Sequence, residues 1–183
     1  TAENVAERFG ITREQMDALA TESHRRAATA IAAGRFKEQV VPVTIKTRKG
    51  DVVFDTDEHV KADTTVETLA KMKPAFKKEG GTVTAGNASG INDGAAAVVL
   101  ATGDAVRAHG LKPLARLVGW GHSGVEPAIM GIGPVPATRA ALARAGLRAD
   151  QLDVIESNEA FAAQACAVTK ELGLDPAKVN PNG

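Results

Sequence analysis

Between Met16 and Ile31 the residues Met16, Leu19, Ala20, Ser23, Ala27 and Ile31 fall three or four positions apart, which places them on one face of a helix. Thr12-Arg13-Glu14-Gln15 ahead of them is a capping-box pattern, and Gly34 closes the periodic stretch. A shorter helix precedes it, with Thr1 at the cap position, Val5 and Phe9 one turn apart, and Gly10 as the stop. The period then shortens. Val40 to Thr47 and Asp51 to Asp55 flank Arg48-Lys49-Gly50 and predict a hairpin. Thr64-Thr65-Val66-Glu67 opens another short helix, which Pro74 stops.

After Lys77 the texture changes. Residues 80–94 are Gly, Ala, Ser, Thr and Asn with almost no large side chain. Ala95 to Ala101 is a compact apolar run, too short for periodicity to separate a buried strand from part of a helix. A helix is expected over 104–109, a strand over Leu114 to Val118, and a second glycine-rich loop over 119–133. Pro134 and Pro136 lead into a helix over 137–145, closed by Gly146. Leu152 to Ile155 predicts a buried strand. From about Glu159 to Leu172 a helix is expected, with Phe161, Ala165, Val168 and Leu172 on one face and Gly173 at its end. Residues 1–80 thus read as helices with a hairpin, and residues 90–183 as alternating strand and helix. The fold class is α/β, with helices packed on a sheet.

Composition refines this picture. Alanine accounts for 34 residues, and aromatics for only 3%, so the core must rely on close backbone approach rather than bulky side chains. The 22 Lys+Arg balance 22 Asp+Glu, which argues against a nucleic-acid binder with its basic excess. One cysteine excludes a disulfide scaffold and a zinc cluster. No stretch approaches the ~20 apolar residues of a membrane span, and Thr1-Ala2-Glu3-Asn4 lacks a signal-peptide pattern. A soluble, cytoplasmic protein is the expectation.

Several positions could carry chemistry. Gly119-Trp120-Gly121-His122-Ser123-Gly124 matches G-x-G-x-x-G, but Pro127, Gly131, Gly133 and Pro134 interrupt the helix that a dinucleotide fingerprint requires. Nicotinamide binding is therefore rejected. His24, His59 and His109 read as solvated, and Cys166, mid-helix, as a buried inert thiol. Ser89 has no nucleophile elbow, because Ala88 precedes it. The loop around it, with Gly86, Gly90 and Gly94, is either a packed loop or a backbone cradle for an extended ligand. Asn158, at the end of the expected strand over 152–155, is either a plain N-cap or a site residue, since α/β active sites gather where strands end.

Three segments together resemble the thiolase family: Asn158-Glu159-Ala160-Phe161-Ala162-Ala163-Gln164, Ala85 to Gly94, and Met130-Gly131-Ile132-Gly133-Pro134. Their order and spacing match as well, and the resemblance covers the whole chain. It implies part of a layered α/β/α thiolase fold with mixed sheets, plus a helical loop domain carrying a β-hairpin. The divisions would be a coenzyme A-binding loop domain (1–91), a closing segment of the N-terminal half (92–112) and the beginning of the C-terminal half (113–183). The implied reaction is acyl transfer between coenzyme A thioesters. A cysteine is acylated, a second cysteine shuttles a proton, and two acyl units join by Claisen condensation or separate in reverse.

By the same resemblance, Asn158 would hold a water that helps bind the enolate oxygen. Ser89 and Ala85 would contact the pantetheine arm, while Met130, Ala160 and Phe161 would wall the acyl pocket. Ala75 and Phe76 match the adenine side, and Lys61 and Thr68 fall near the nucleotide phosphates. The partners implied are an acyl-CoA substrate, the rest of a thiolase chain and a homo-oligomer (tetramer or dimer), with no tightly bound cofactor, nucleic acid or membrane. The family's nucleophilic cysteine, its Gly-His-Pro histidine and its second cysteine have no counterpart in residues 1–183, so this span alone is expected to be inactive. A module that holds acyl-CoA without chemistry is the alternative reading.

Overall fold

The computed structural model describes residues 1–183. Helix α1 (Ala2–Phe9) turns at Gly10 into α2 (Arg13–Ala32), and the expected capping box forms between Thr12 and Gln15. Strands β1 (Val43–Thr47) and β2 (Gly50–Phe54) pair antiparallel, with Val43 opposite Phe54 and Ile45 opposite Val52. Helix α3 (Val66–Ala70) follows, capped by Thr65, and then α4 (Gly103–Ala108). A 3-10 turn over Pro127–Ile132 leads into α5 (Pro134–Ala145), and α6 (Ala162–Leu172) comes last.

The core gathers around α6. Ala162, Ala163, Ala167 and Val168 pack with Ala2, Val5 and Ala6 of α1, Met16 of α2, Val83, and Ile129, Ile132 and Val135. The alanine-rich composition is used here, since small side chains on α6 and α1 let the two helices lie close. Glycine does similar work beside α5. A Cβ on Gly121 would collide with the Ala137 carbonyl. The G-x-G-x-x-G segment is thus a loop packed on a helix backbone, with no helix opening at Gly124.

The apolar runs expected as strands have a different outcome. Residues 95–101, 114–118 and 152–154 form neither strand nor helix, and the only sheet is the β1–β2 pair. Ile155 alone makes a bridge, parallel to Val179. A strand is stable when a neighbour takes its N–H and C=O groups; no segment pairs with residues 95–101 or 114–118, and beside 152–155 the stretch 178–180 forms only that single bridge. Their side chains stand open: Val99 is 93% exposed and Leu114 fully so.

Polar anchoring compensates for the modest core. The Asp17 carboxylate, buried in α2, accepts from Arg13 Nε at 2.7 Å and from Asn87 Nδ2 at 2.9 Å. Arg13 also donates to the Leu69 and Met72 carbonyls at the end of α3. On the other side, the Glu3 carboxylate of α1 accepts the Thr82 and Val83 amides at 3.0 Å. Partial burial raises the pKa of Glu3, but these hydrogen bonds, with Lys77, outweigh it and hold the group below its ordinary value.

Asp17→Ala leaves Arg13 and Asn87 without their buried partner and should destabilise the fold by about 3 kcal/mol in urea unfolding. Because Glu3 is depressed in the folded state, its contribution is complete above its unfolded value near 4.5 and drains away as pH falls through the lower folded value. Glu3→Gln should therefore flatten the acid limb of the stability–pH curve, and an unchanged limb would refute the assignment.

Candidate functional site

Two clefts meet at the segment from Glu156 to Asn158. The larger, about 1190 Å³, lies between α2, the stretch around His59–Thr64 and the glycine loop, and Ser23, His24, Lys61, Ala85 and Ser89 line it. The smaller, about 480 Å³, is walled by Met130, Ala160, Phe161, Gln164, Val168 and Leu172. Asn158 lies on both walls.

The glycine loop is shaped by its own polar side chains. Asn87 Oδ1 accepts the Thr84 amide at 2.8 Å, and Thr84 Oγ1 accepts the Gly86 amide at 3.2 Å. Such short-range bonds give the backbone a turn in place of a helix or strand. The loop then pairs with the chain ahead of α6. Ser89 N donates to Ala160 O at 3.0 Å and Ala162 N to Asn87 O at 2.9 Å, forming an antiparallel bridge between Ala88 and Phe161. This bridge seats Ser89 on the large cleft directly beside the Ala160–Phe161 wall of the small one.

The same pairing corrects two expectations. Residues 160–161 are drawn into extended backbone, so α6 starts at Ala162 with Phe161 as its N-cap, rather than near Glu159. Asn158 is therefore no helix cap. It is exposed, none of the protein's hydrogen bonds uses its side chain, and it lines both clefts. Gly86 and Gly90 line the large cleft and are also packing positions. A Cβ on Gly86 would strike Leu69 and Met72, and one on Gly90 would strike His59, so both admit protein side chains. Gly94 faces open space.

The other expected residues divide. Ala85, Ser89, Lys61 and Asn158 share the large cleft, and Met130, Ala160, Phe161 and Asn158 share the small one. Thr68, Ala75 and Phe76 line neither. Thr68 is spent on the α3 cap, accepting the Thr65 amide at 3.1 Å. The Ala75 amide donates to Val83 O at 2.8 Å. Phe76 is 70% exposed and meets Phe161 edge-on, with ring centroids 6.5 Å apart.

His24 and His59 both line the large cleft, and of the two His24 departs from the solvated state expected of it. His24 is half-buried, and its Nδ1 accepts the Lys61 amide at 3.2 Å. Burial pushes its pKa below the ordinary value, with Glu159 opposing. The exposed His59 pairs through Nε2 with Asn92 at 2.9 Å. No local pattern marks either residue, because the large cleft exists only once distant segments meet. Cys166 is half-buried on α6, where burial, reinforced by the Glu159 charge, pushes its thiol up to about 11. No cluster of His, Cys, Asp and Glu could hold a metal ion, and no helix is long and apolar enough to cross a membrane.

Comparison with known proteins places this geometry in context. A family model of the thiolase N-terminal domain matches residues 1–104, and one of the thiolase C-terminal domain matches residues 111–183. Beta-ketothiolase BktB of Cupriavidus necator is 67% identical over the whole chain, which covers 46% of that protein. An acetyl-CoA acetyltransferase of Pseudomonas aeruginosa is 57% identical, again over the whole chain and 47% of its own length. The chain thus spans about half the length of the curated relatives it matches. Among solved structures, the Bacillus anthracis acetyl-CoA acetyltransferase superposes with a TM-score of 0.93 at 54% identity, covering 100% of this chain and 46% of that one. Human mitochondrial 3-ketoacyl-CoA thiolase in complex with CoA gives 0.91 at 49%, covering 100% and 45%. At these identities the α/β thiolase fold is shared, and the unpaired apolar runs belong to that fold without a sheet of their own in this span.

With its thiol raised to about 11, Cys166 holds little thiolate at pH 8. Iodoacetamide should alkylate it at least about tenfold more slowly than free cysteine. A rate equal to that of free cysteine would contradict the buried environment.

Proposed function

This chain belongs to the thiolase family, and from that premise we propose that the protein carrying it is an acetyl-CoA C-acetyltransferase or β-ketothiolase. It condenses two acyl-CoA units to a 3-ketoacyl-CoA, or cleaves the latter with coenzyme A. Residues 1–183 supply the substrate-facing walls and one hydrogen-bond donor. The nucleophilic thiol is supplied from outside this span, because the single cysteine here is half-buried and held protonated.

In the forward direction a cysteine thiolate attacks the thioester carbonyl, and the coenzyme A thiolate leaves and takes up a proton. A second acetyl-CoA then loses a proton from its methyl carbon. The resulting enolate carbon attacks the acyl-enzyme and expels the cysteine thiolate, so atoms and charge balance. Asn158 acts when charge collects on the enolate oxygen, donating an amide hydrogen to a water that hydrogen-bonds this oxygen. Donors aimed at developing charge in a site shielded from water lower the barrier most. Ser89 and Ala85 border the path of the pantetheine arm, and Lys61 offers positive charge toward the phosphates. Met130, Ala160 and Phe161 bound the acyl group. Ala75, Phe76 and Thr68 belong to the adenine and phosphate side, outside both clefts.

The observation that carries this reading is the position of Asn158, with a free amide at the junction of an apolar-walled cleft and a polar one. A thioester has the same division: an acyl group on one side of its carbonyl and an amide-bearing arm on the other. The chain divides into a loop domain (1–91), a closing segment (92–112) and the start of the C-terminal half (113–183); the gap between the two family matches, between residues 104 and 111, supports the second of these boundaries. The whole protein is a cytoplasmic homo-oligomer, a dimer or tetramer, with no tightly bound cofactor.

In the full-length protein, Asn158→Ala should lower kcat for acetoacetyl-CoA thiolysis by about tenfold or more, while Cys166→Ser leaves it nearly unchanged. Equal losses in both variants would overturn the division of roles. Turnover of acetoacetyl-CoA by residues 1–183 alone would overturn the placement of the nucleophile outside this span.

A further inference from the structure

Asn180 is the one non-glycine residue in the left-handed backbone region, with φ of 45°. It is also one of the few buried polar residues, at 5% exposure. Asparagine tolerates this conformation better than most side chains, but glycine adopts it at no cost. An asparagine here therefore points to a task for its amide, and the hydrogen bonds show which.

Asn180 Oδ1 accepts the Ser157 amide at 2.7 Å, while Nδ2 donates to the Ser157 carbonyl at 2.8 Å and to Glu159 Oε1 at 2.7 Å. Its backbone adds a further link, as Asn180 N donates to Ile155 O at 2.8 Å and Ile155 N to Lys178 O at 2.9 Å. One side chain thus satisfies both polar backbone groups of the residue before Asn158 and the carboxylate of the residue after it. Asn158 has no protein partner of its own, so its backbone is held in place through these neighbours.

The bracing residue is itself fixed. Arg26 Nη1 donates to the Val179 carbonyl at 2.7 Å and to the Asn180 carbonyl at 3.2 Å. Glu22 in turn holds Arg26 at 2.7 Å. The turn over 176–180 is therefore tied to α2, which forms one side of the large cleft.

We infer that Asn180 is a positioning residue that aims the Asn158 amide by clamping Ser157 and Glu159 on either side of it. This rests on the role proposed above for Asn158. Loosening the clamp leaves both clefts lined as before but misdirects the donor, and a displacement near 1 Å at a reacting centre can cost about a hundredfold in rate.

The test uses the full-length protein and thiolysis of acetoacetyl-CoA. Asn180→Gly keeps the left-handed backbone without strain and removes only the amide. It should lower kcat by about tenfold or more while KM stays within about twofold, with the circular dichroism spectrum unchanged. Asn180→Asp keeps the acceptor for Ser157 but sets a carboxylate against that of Glu159. Its loss should be relieved at least about threefold by Glu159→Gln in the same chain, since directly bonded residues couple. The inference is overturned if Asn180→Gly keeps kcat within twofold while Asn158→Ala loses it, and the reading of the site then stands. It is equally overturned if the loss comes with unfolding or a matching rise in KM, or if Glu159→Gln gives no relief. Full kcat in Asn158→Ala would remove both readings together.

Discussion

The fold turns on the carboxylate of Asp17. It lies in the first turns of α2, almost wholly buried, and a buried charge is tolerated only when it is paired and hydrogen-bonded. Arg13 satisfies one oxygen from within the same helix, and Asn87 satisfies the other from a distant loop. Each partner then carries the constraint outward. Arg13 reaches the carbonyls that end α3, while Asn87 shapes the glycine loop and receives the first amide of α6 on its carbonyl. One charge thereby coordinates α2, α3, the loop over 82–90 and α6, which are the elements surrounding the large cleft.

The legibility of the chain follows from the range of the forces involved. Caps, helical periods and the hairpin are local. The Thr12 capping box, the Thr65 cap and the hairpin around Arg48-Lys49 accordingly stand where their residues predict. Asn87 and Asp17 lie 70 residues apart, and no local pattern marks them as partners. The start of α6 is a case between these two. Asn158 and Glu159 look like a helix N-terminus, but a backbone pairing with residues 87–89 competes for residues 160–162 and delays the helix. The linked motifs mark the Asn158 segment within the sequence itself, whereas the cleft that His24 and His59 line is built from segments far apart in the chain.

The apolar runs illustrate the opposite dependence. Hydrophobicity over 95–100 and 114–118 is a correct statement of what those residues require, but burial needs a surface to receive them. Within residues 1–183 no such surface reaches them, and Val98, Val99 and Leu114 remain open. Strand pairing is non-local by nature, so a strand-like pattern states a preference, and its neighbours decide whether a ladder forms.

A similar logic explains why the candidate site is held by directional polar bonds. The alanines that bury on α6 lend close packing, but small side chains contribute little area and no orientation. A net hydrogen bond contributes only about 0.5–1.5 kcal/mol, so the clamp of Asn180 on Ser157 and Glu159 adds modestly to stability. Its geometry is what apolar contact cannot supply, because hydrophobic burial is non-directional. In a chain where alanine fills five of the 13 core positions, the position of a single exposed amide is best fixed by a buried one. With its backbone in the left-handed region, Asn180 reaches the residues on both sides of Asn158 with one side chain.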